Sequence, residues 1–186
     1  FDDAWHRSRS ADLSLVRTPL LTCANWGGQG IHPRGNFNGF TETPDDTPKW
    51  LEAHGDSHWS LFSSGYGVAL QKRFFDRFLK GIANGWDQQP RVQLNIRHPG
   101  ERFVLRHENE WPLARTQWTK FYLDTESMAL KSAPLAKQGA VEYEALGNGV
   151  TFSTPPLAAD TEITGPMAAR LFISSSTADA DLFLIF

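Results

Sequence analysis

The first half of the chain contains apolar runs with the length and composition of buried strands. Residues 20–24 form a continuous apolar run after Pro19, and residues 50–53 form a second one. Runs of this kind are typical of a parallel sheet that is covered on both faces. Between them, residues 31–40 predict a short helix or an irregular turn, and the prolines and acidic pair of residues 41–48 predict a surface loop.

A helical pattern follows the second run. From Tyr66 to Leu79, apolar residues recur at every third or fourth position, with charged residues between them. This spacing predicts a helix with one buried face, and the following Gly81 is typical of a helix C-terminus. The buried face is predicted to include Phe74, Phe75 and Phe78. Strand, loop, strand, loop and helix in this order indicate the last portion of an α/β sheet.

The pattern changes after residues 84 and 85. Residues 91–97 alternate strictly between polar and apolar side chains, and further short strand-like runs follow, separated by Pro, Gly and Asn. These runs are residues 103–106, 118–123, 141–144, 150–153, 169–174 and 181–186. Several short strands with turn residues between them predict an antiparallel sandwich or barrel. The sequence therefore predicts two domains, residues 1–84 and residues 85–186.

Composition narrows the class of protein. Of the 186 residues, 40% are hydrophobic and 21% are charged, which is ordinary for a folded globular chain. The formal net charge of −3 gives no basic field for phosphates, so nucleic acid is not an expected partner. Cys23 is the single cysteine, which excludes an intrachain disulfide and a cysteine-based zinc site. No apolar run approaches the roughly 18 residues that span a bilayer, so no membrane partner is expected.

Both ends of the chain predict that it belongs to something longer. The first residue is Phe1 rather than Met, and residues 182–186 are wholly apolar. A strand that stops without a turn or a polar residue is typical of an interrupted chain. We therefore expect an internal fragment whose second domain is truncated.

Two histidines after the second strand-like run are candidate catalytic residues. His54 and His58 flank a polar turn formed by Gly55, Asp56 and Ser57. A histidine at the carboxyl end of a buried strand can reach a substrate in the cleft above the sheet, as a general base must. The same pattern is typical of an ordinary loop histidine, so taken alone it has little specificity.

Other binding sites find less support in the sequence. The loop at residues 25–30 contains three glycines, which suits close approach to a ligand, but it has neither G-x-G-x-x-G nor a following Lys-Ser/Thr for phosphate. A metal site built from His32, His54 and His58 is a weaker alternative, because no nearby carboxylate completes a known ligand spacing. The sequence therefore predicts no metal and no cofactor.

Five stretches of the chain resemble CocE/NonD hydrolases, which are relatives of the Xaa-Pro dipeptidyl-peptidase S15 group. They are DLSLVRTPLLTCANWGGQGIHPRGNF, KWLEAHGDSHW, LQKRFFDRFLKG, ENEWPLARTQWTKFYLD and TGPMAARLFISSSTADADLFL. The resemblance implies the C-terminal part of an α/β-hydrolase domain followed by a truncated jelly-roll-like β-sandwich. It also implies serine-based acyl transfer to water from a small ester, amide or peptide substrate, and Xaa-Pro peptides are one candidate. The implied reaction needs no cofactor.

The resemblance assigns catalytic roles as well. In this family the triad runs Ser, Asp, His along the chain, and the histidine corresponds to His58, which would act as general base. No G-x-S-x-G elbow is present, so the nucleophile is expected outside this chain. The acid position corresponds to Gly28 or Gln29, neither of which carries a carboxylate. Asp56 and Glu52 are local candidates for the acid, and a catalytic dyad is an alternative.

A protein of another class is the competing hypothesis. Aromatic-rich β-sandwiches bind carbohydrate or protein without catalysis, and this chain has seven tryptophans, Trp86, Trp111 and Trp118 among them. A G-x-S-x-G elbow between a strand and a helix in upstream sequence would favour the hydrolase over the binding module. The substrate, the compartment and the oligomeric state stay open.

Overall fold

The computed structural model describes residues 3–27 and 32–186, with His58 described through its backbone only. Its helices are α1 (Ala4–Arg7), α2 (Pro33–Glu42), α3 (His58–Phe62) and α4 (Gly65–Lys80). Its strands are β1 (Leu20–Asn25), β2 (Lys49–His54), β3 (Val92–His98), β4 (Arg102–Glu108), β5 (Tyr122–Asp124) and β6 (Ala129–Lys131). Short 3-10 turns lie at Leu13–Leu15 and Trp86–Gln88. The described chain is a mixed α/β structure.

The first four strands form one sheet in the order β1-β2-β3-β4. β2 is parallel to both β1 and β3, and β3 and β4 form an antiparallel hairpin. The strands predicted at residues 20–24, 50–53, 91–97 and 103–106 are confirmed. Because β3 pairs with β2, the sheet continues across the predicted boundary between residues 84 and 85.

Apolar side chains cover both faces of this sheet. On the face that packs against α2, the core consists of Ala24, Phe40, Leu51, Ala53, Val92, Leu94, Trp111 and Leu113. On the opposite face, α4 contributes Leu70 and Phe74, which pack with Trp86 and against Trp50 of β2. Burial on two sides explains why β1 and β2 have continuous apolar runs rather than strict alternation.

Helix α4 follows its sequence pattern closely. The Ser64 hydroxyl oxygen caps its first turn by accepting a hydrogen bond from the Gly67 N–H at 3.1 Å, and Gly81 ends the helix with a φ of 68°. Phe74 is buried and Phe78 is partly buried, as predicted. The predicted burial of Phe75 is wrong, because its side chain is 50% exposed. Adjacent helical residues are rotated by about 100°, which turns Phe75 away from the sheet.

The second half of the chain departs from its prediction. The strand predicted at residues 118–123 is reduced to β5, and residues 150–153 make a single bridge, from Ser153 to Ala129. The strands predicted at residues 141–144, 169–174 and 181–186 are wrong in this structure.

The described residues therefore do not confirm the predicted jelly-roll-like sandwich. Backbone N–H and C=O groups in a strand need a neighbouring strand as their partner. The described ranges supply no such neighbour for these runs, and Phe172 and Phe183 are each 90% exposed.

Ion pairs hold part of this second half against the sheet. In β4, the Arg106 Nη1 atom donates to Glu162 Oε2 at 2.7 Å, and Arg115 Nη1 donates to Glu108 Oε2 at 2.9 Å. These contacts tie the segment around residue 162 to the hairpin.

No helix in the described part of the chain is long and apolar enough to cross a membrane.

Candidate active site

The loops after β1 and β2 lie side by side at the carboxyl edge of the sheet. The Trp26 N–H donates to the His54 carbonyl oxygen at 3.0 Å, and the Gly27 N–H donates to the Asp56 carbonyl oxygen at 3.2 Å. A Cβ atom at Gly27 would overlap the Asp56 carbonyl group, so this approach requires glycine. The carboxyl ends of parallel strands are where α/β proteins bind ligands, which makes this edge the candidate site.

His58 is the first residue of α3 and follows directly on the turn that contacts Gly27. In that turn Asp56 has a φ of 60°, and its carboxylate accepts a hydrogen bond from the Ser57 N–H at 2.8 Å. Asp56 is exposed, so this contact is a local turn interaction. The His58 side chain is not among the described groups, and its role as general base stays a prediction.

A cavity of about 580 Å³ opens beside this turn. Trp26 and Ser57 line it from the two loops, while Arg97, Glu101 and Phe103 line it from the β3–β4 hairpin. Arg97 and Glu101 form an ion pair. The volume is in the range of small-molecule sites, and the wall combines aromatic with charged groups. The sequence did not predict the hairpin wall, because the pattern assigned those residues to a second domain.

His54 and Glu52 form a buried pair on β2. The His54 Nδ1 atom is 2.8 Å from Glu52 Oε2, and the two residues are 2% and 1% exposed. Burial raises the pKa of the Glu52 carboxyl, and the hydrogen bond from His54 opposes this shift in part. The Nε2 atom of His54 is buried without a hydrogen-bond partner among the described residues. An imidazole nitrogen that solvent does not reach is poorly suited to act as general base on a substrate.

Glu52 belongs to a polar row that crosses three strands. Cys23 of β1 and Gln93 of β3 lie opposite it in the sheet register. Gln93 Nε2 donates to the Tyr66 hydroxyl at 3.0 Å. Burial, with a smaller contribution from Glu52, raises the pKa of Cys23 to about 12, so its thiol is neutral and does not act as a nucleophile. Burial likewise raises the pKa of Tyr66. The sequence analysis named Glu52 as a candidate acid and His54 as a candidate catalytic histidine, but it did not predict the contact between them.

The remaining predicted positions have mixed outcomes. Gly28 and Gln29, which correspond to the family's acid position, lie outside the described residues. The two candidate carboxylates in the described residues have local partners: Asp56 accepts a hydrogen bond from the Ser57 N–H, and Glu52 is hydrogen-bonded to His54. Within residues 3–27 and 32–186, no group of three or more His, Cys, Asp or Glu side chains is arranged to hold a metal ion.

Comparison with known proteins gives the family. Residues 84–186 match the model of the X-Pro dipeptidyl-peptidase C-terminal non-catalytic domain. The chain is 29% identical over 233 residues to Cocaine esterase from Rhodococcus sp. (strain MB1 Bresler), across 97% of this chain and 40% of that protein. Two crystal structures of a CocE/NonD family hydrolase from Staphylococcus aureus are similar at 34% identity, with TM-scores of 0.67 and 0.66.

Each crystal structure covers 73% of this chain, and the similarity covers 24% of the solved chain. The chain therefore spans less than half the length of the relatives that it matches. It is a member of the CocE/NonD hydrolase family, related to Xaa-Pro dipeptidyl-peptidases, and residues 84–186 belong to the family's C-terminal non-catalytic domain.

Proposed function

We propose that this chain is part of a serine hydrolase that cleaves ester or amide bonds, with Xaa-Pro peptide bonds as one candidate class of substrate. The observation that carries the proposal is the contact between the two loops at the carboxyl edge. There the Gly27 N–H is 3.2 Å from the Asp56 carbonyl oxygen, and α3 begins two residues later at His58. Membership of a hydrolase family supports the reaction class, and the similarity to a protein named as an esterase supports ester substrates.

In this proposal the two parts of the chain belong to different domains. Residues 1–84 are the end of an α/β-hydrolase catalytic domain, and residues 85–186 begin a jelly-roll-like β-domain. The exposed apolar runs after residue 140 support the second assignment, because a facing sheet would bury each of them. The β3–β4 hairpin belongs to both, since it completes the sheet and forms one wall of the cavity.

His58 is the general base of the proposed reaction. A serine hydroxyl attacks the substrate carbonyl carbon while the neutral imidazole accepts its proton, and the imidazole then protonates the leaving alcohol or amine. Water attacks the acyl-enzyme next, again giving its proton to His58, and the carboxylic acid leaves as the serine is restored. The serine is not in this chain, because the sequence has no G-x-S-x-G elbow.

The longer hydrolase that contains this chain is the material for the test. We expect His58→Ala to lower kcat for p-nitrophenyl acetate by about 10⁴-fold or more, because loss of the base disables the whole catalytic unit. His54→Ala is the matched comparison, and it should lower kcat far less than His58→Ala does, because His54 is not the base. If His54→Ala abolishes turnover while His58→Ala retains it, the base has been assigned to the wrong histidine.

The same series tests the orienting acid. Asp56→Asn should lower kcat strongly only if Asp56 orients the His58 imidazole, and an unchanged rate points to an acid elsewhere or to a dyad. The 186-residue chain alone should show no turnover that depends on His58, because the proposed nucleophile is missing. Turnover by this chain that disappears in His58→Ala would contradict the proposal.

A further inference from the structure

The buried pair of Glu52 and His54 lies directly beneath the candidate active-site edge, and the proposed mechanism does not use it. Both side chains point to the α4 face of β2, because residues two apart in a strand share a face and Trp50 packs on that face. His54 is the last residue of β2, so the pair sits where the strand passes into the turn before His58.

Packing alone does not account for this pair. Two atoms of the pair, Glu52 Oε1 and His54 Nε2, are buried without a hydrogen-bond partner among the described residues. The same is true of Oδ1 in the neighbouring Asn25. Asn25 lies opposite His54 in the sheet register, so the three atoms belong to one patch. Unpartnered buried polar groups lower stability, and burial also raises the pKa of Glu52. A patch that costs stability beside a candidate site indicates a functional role.

The pair is connected to both loops through the backbone of His54. The His54 carbonyl oxygen accepts the Trp26 N–H at 3.0 Å, which joins β2 to the loop after β1. Trp26 is held on its other side, because its indole Nε1–H donates to the Asn95 carbonyl oxygen at 2.7 Å. Fixing His54 therefore fixes the starting points of the two loops that face the cavity.

We propose that Glu52 and His54 are positioning residues that hold these two loops together and thereby place the backbone of His58. Glu52 accepts the Nδ1–H of His54, which sets the tautomer and the orientation of the imidazole. Neither side chain touches the reacting atoms. The proposal rests on the function proposed above, since it assigns the base to His58.

Kinetics of the longer hydrolase provide the first test. Glu52→Leu should lower kcat about 100-fold with little change in KM, because a displacement of about 1 Å at the reacting groups has an effect of this size. Glu52→Gln keeps an acceptor for the Nδ1–H and should recover most of that loss. Gln93→Leu is the control, because it changes a buried polar residue in the same sheet row whose side-chain amide bonds to the Tyr66 hydroxyl rather than to His54.

Two kinetic outcomes would overturn the proposal. If Glu52→Gln loses as much activity as Glu52→Leu, Glu52 is the acid of the catalytic unit rather than a positioning residue. If Glu52→Leu keeps the parent kcat once the folded fraction is counted, the pair is only structural. The pH midpoint of the acid limb of kcat/KM should be the same in both variants, because the base itself is unchanged.

A second measurement needs no activity and uses the 186-residue chain. The indole N–H signal of Trp26, assigned with Trp26→Phe, should shift in a nitrogen-15 correlation spectrum of Glu52→Leu and stay in place in Gln93→Leu. His54→Leu removes the same contact from the other side and should reproduce the shift, which covers the case that Glu52→Leu does not fold. An unshifted Trp26 signal would overturn the positioning role. Absence of His58-dependent turnover in the longer protein would instead overturn the proposed function.

Discussion

Two regions of this chain carry strand-like runs of similar apolar character, but they form very different structures. The described residues between 20 and 113 build a four-stranded sheet in which Leu51 is 1% exposed, whereas Phe172, in an apolar run of residues 169–174, is 90% exposed. The first region contains both neighbouring strands and the helices that cover them. The comparison teaches that an apolar run becomes a buried strand only where the chain supplies its partners.

The largest expected effect tests this difference directly. Trp86 is fully buried and packs edge-to-face on Phe74 with ring centroids 5.3 Å apart. Trp86→Ala should lower the free energy of unfolding by about 3–5 kcal/mol, measured by urea titration. Phe172→Ala, its counterpart in the second region, should change it by less than about 0.5 kcal/mol. Equal losses in the two variants would mean that the apolar run of residues 169–174 is packed after all.

A matched pair within α4 sharpens the comparison on a single helix. Leu70 is 6% exposed and faces the sheet, whereas Leu79 is 76% exposed. Leu70→Ala should lower the free energy of unfolding by about 2–5 kcal/mol, and Leu79→Ala should have an effect within about 0.5 kcal/mol. The same denaturant titration measures both. A larger loss for Leu79→Ala would show that the buried face of α4 has been assigned to the wrong side.

The start of α4 should show an effect of intermediate size. Ser64→Ala removes the hydroxyl that accepts the Gly67 N–H, and the loss of an N-cap costs about 1 kcal/mol. For a chain of this length we expect the melting temperature to fall by about 2–4 °C. Ser63→Ala is the control, because the neighbouring serine does not cap α4. Equal melting temperatures for Ser64→Ala and the parent chain would contradict the cap.

The smallest expected effect concerns pH. Burial raises the folded-state pKa of Glu52, so the folded chain binds its proton more tightly than the unfolded chain does. The stability contributed by this carboxyl is complete below its unfolded pKa of about 4.3 and is lost as pH rises through the raised value.

Glu52→Gln should remove this part of the pH dependence, which urea titrations across that window would measure. Cys23, His54 and Tyr66 are the titratable neighbours that face Glu52, and they stay unchanged in the variant. An identical pH profile in parent and variant would show that Glu52 does not titrate in this way.

The sequence predicts elements well where short-range patterns determine them. The runs in β1 to β4 and the three- and four-residue spacing in α4 needed only local information, and all five elements formed. Phe75 was assigned to the buried face because it follows Phe74 and lies three residues before Phe78, so the pattern did not fix the edge of the buried stripe.

The candidate site was harder to predict than the elements around it. His54 and His58 were placed after the correct strand, but the contact between His54 and Glu52 depends on side-chain direction within β2. The cavity wall at Arg97 and Phe103 depends on β3 joining β2, and no local signal reports a parallel pairing across about 40 residues of chain. Long-range pairing is the information that the apolar pattern lacks.

The pairing of β3 with β2 also limits where segments of this chain can be joined to segments of a related protein in a chimera. A crossover at residue 84, where the match to the C-terminal family model begins, would take β2 and β3 from different parents, although they are joined by the bond from the Leu51 N–H to the Arg91 carbonyl oxygen at 2.9 Å. Chimeras joined there must inherit a β3 that fits a foreign β2 in register and in side-chain volume. A junction after Leu113 keeps sheet and core within one parent, so recombination should tolerate that position better than the family boundary.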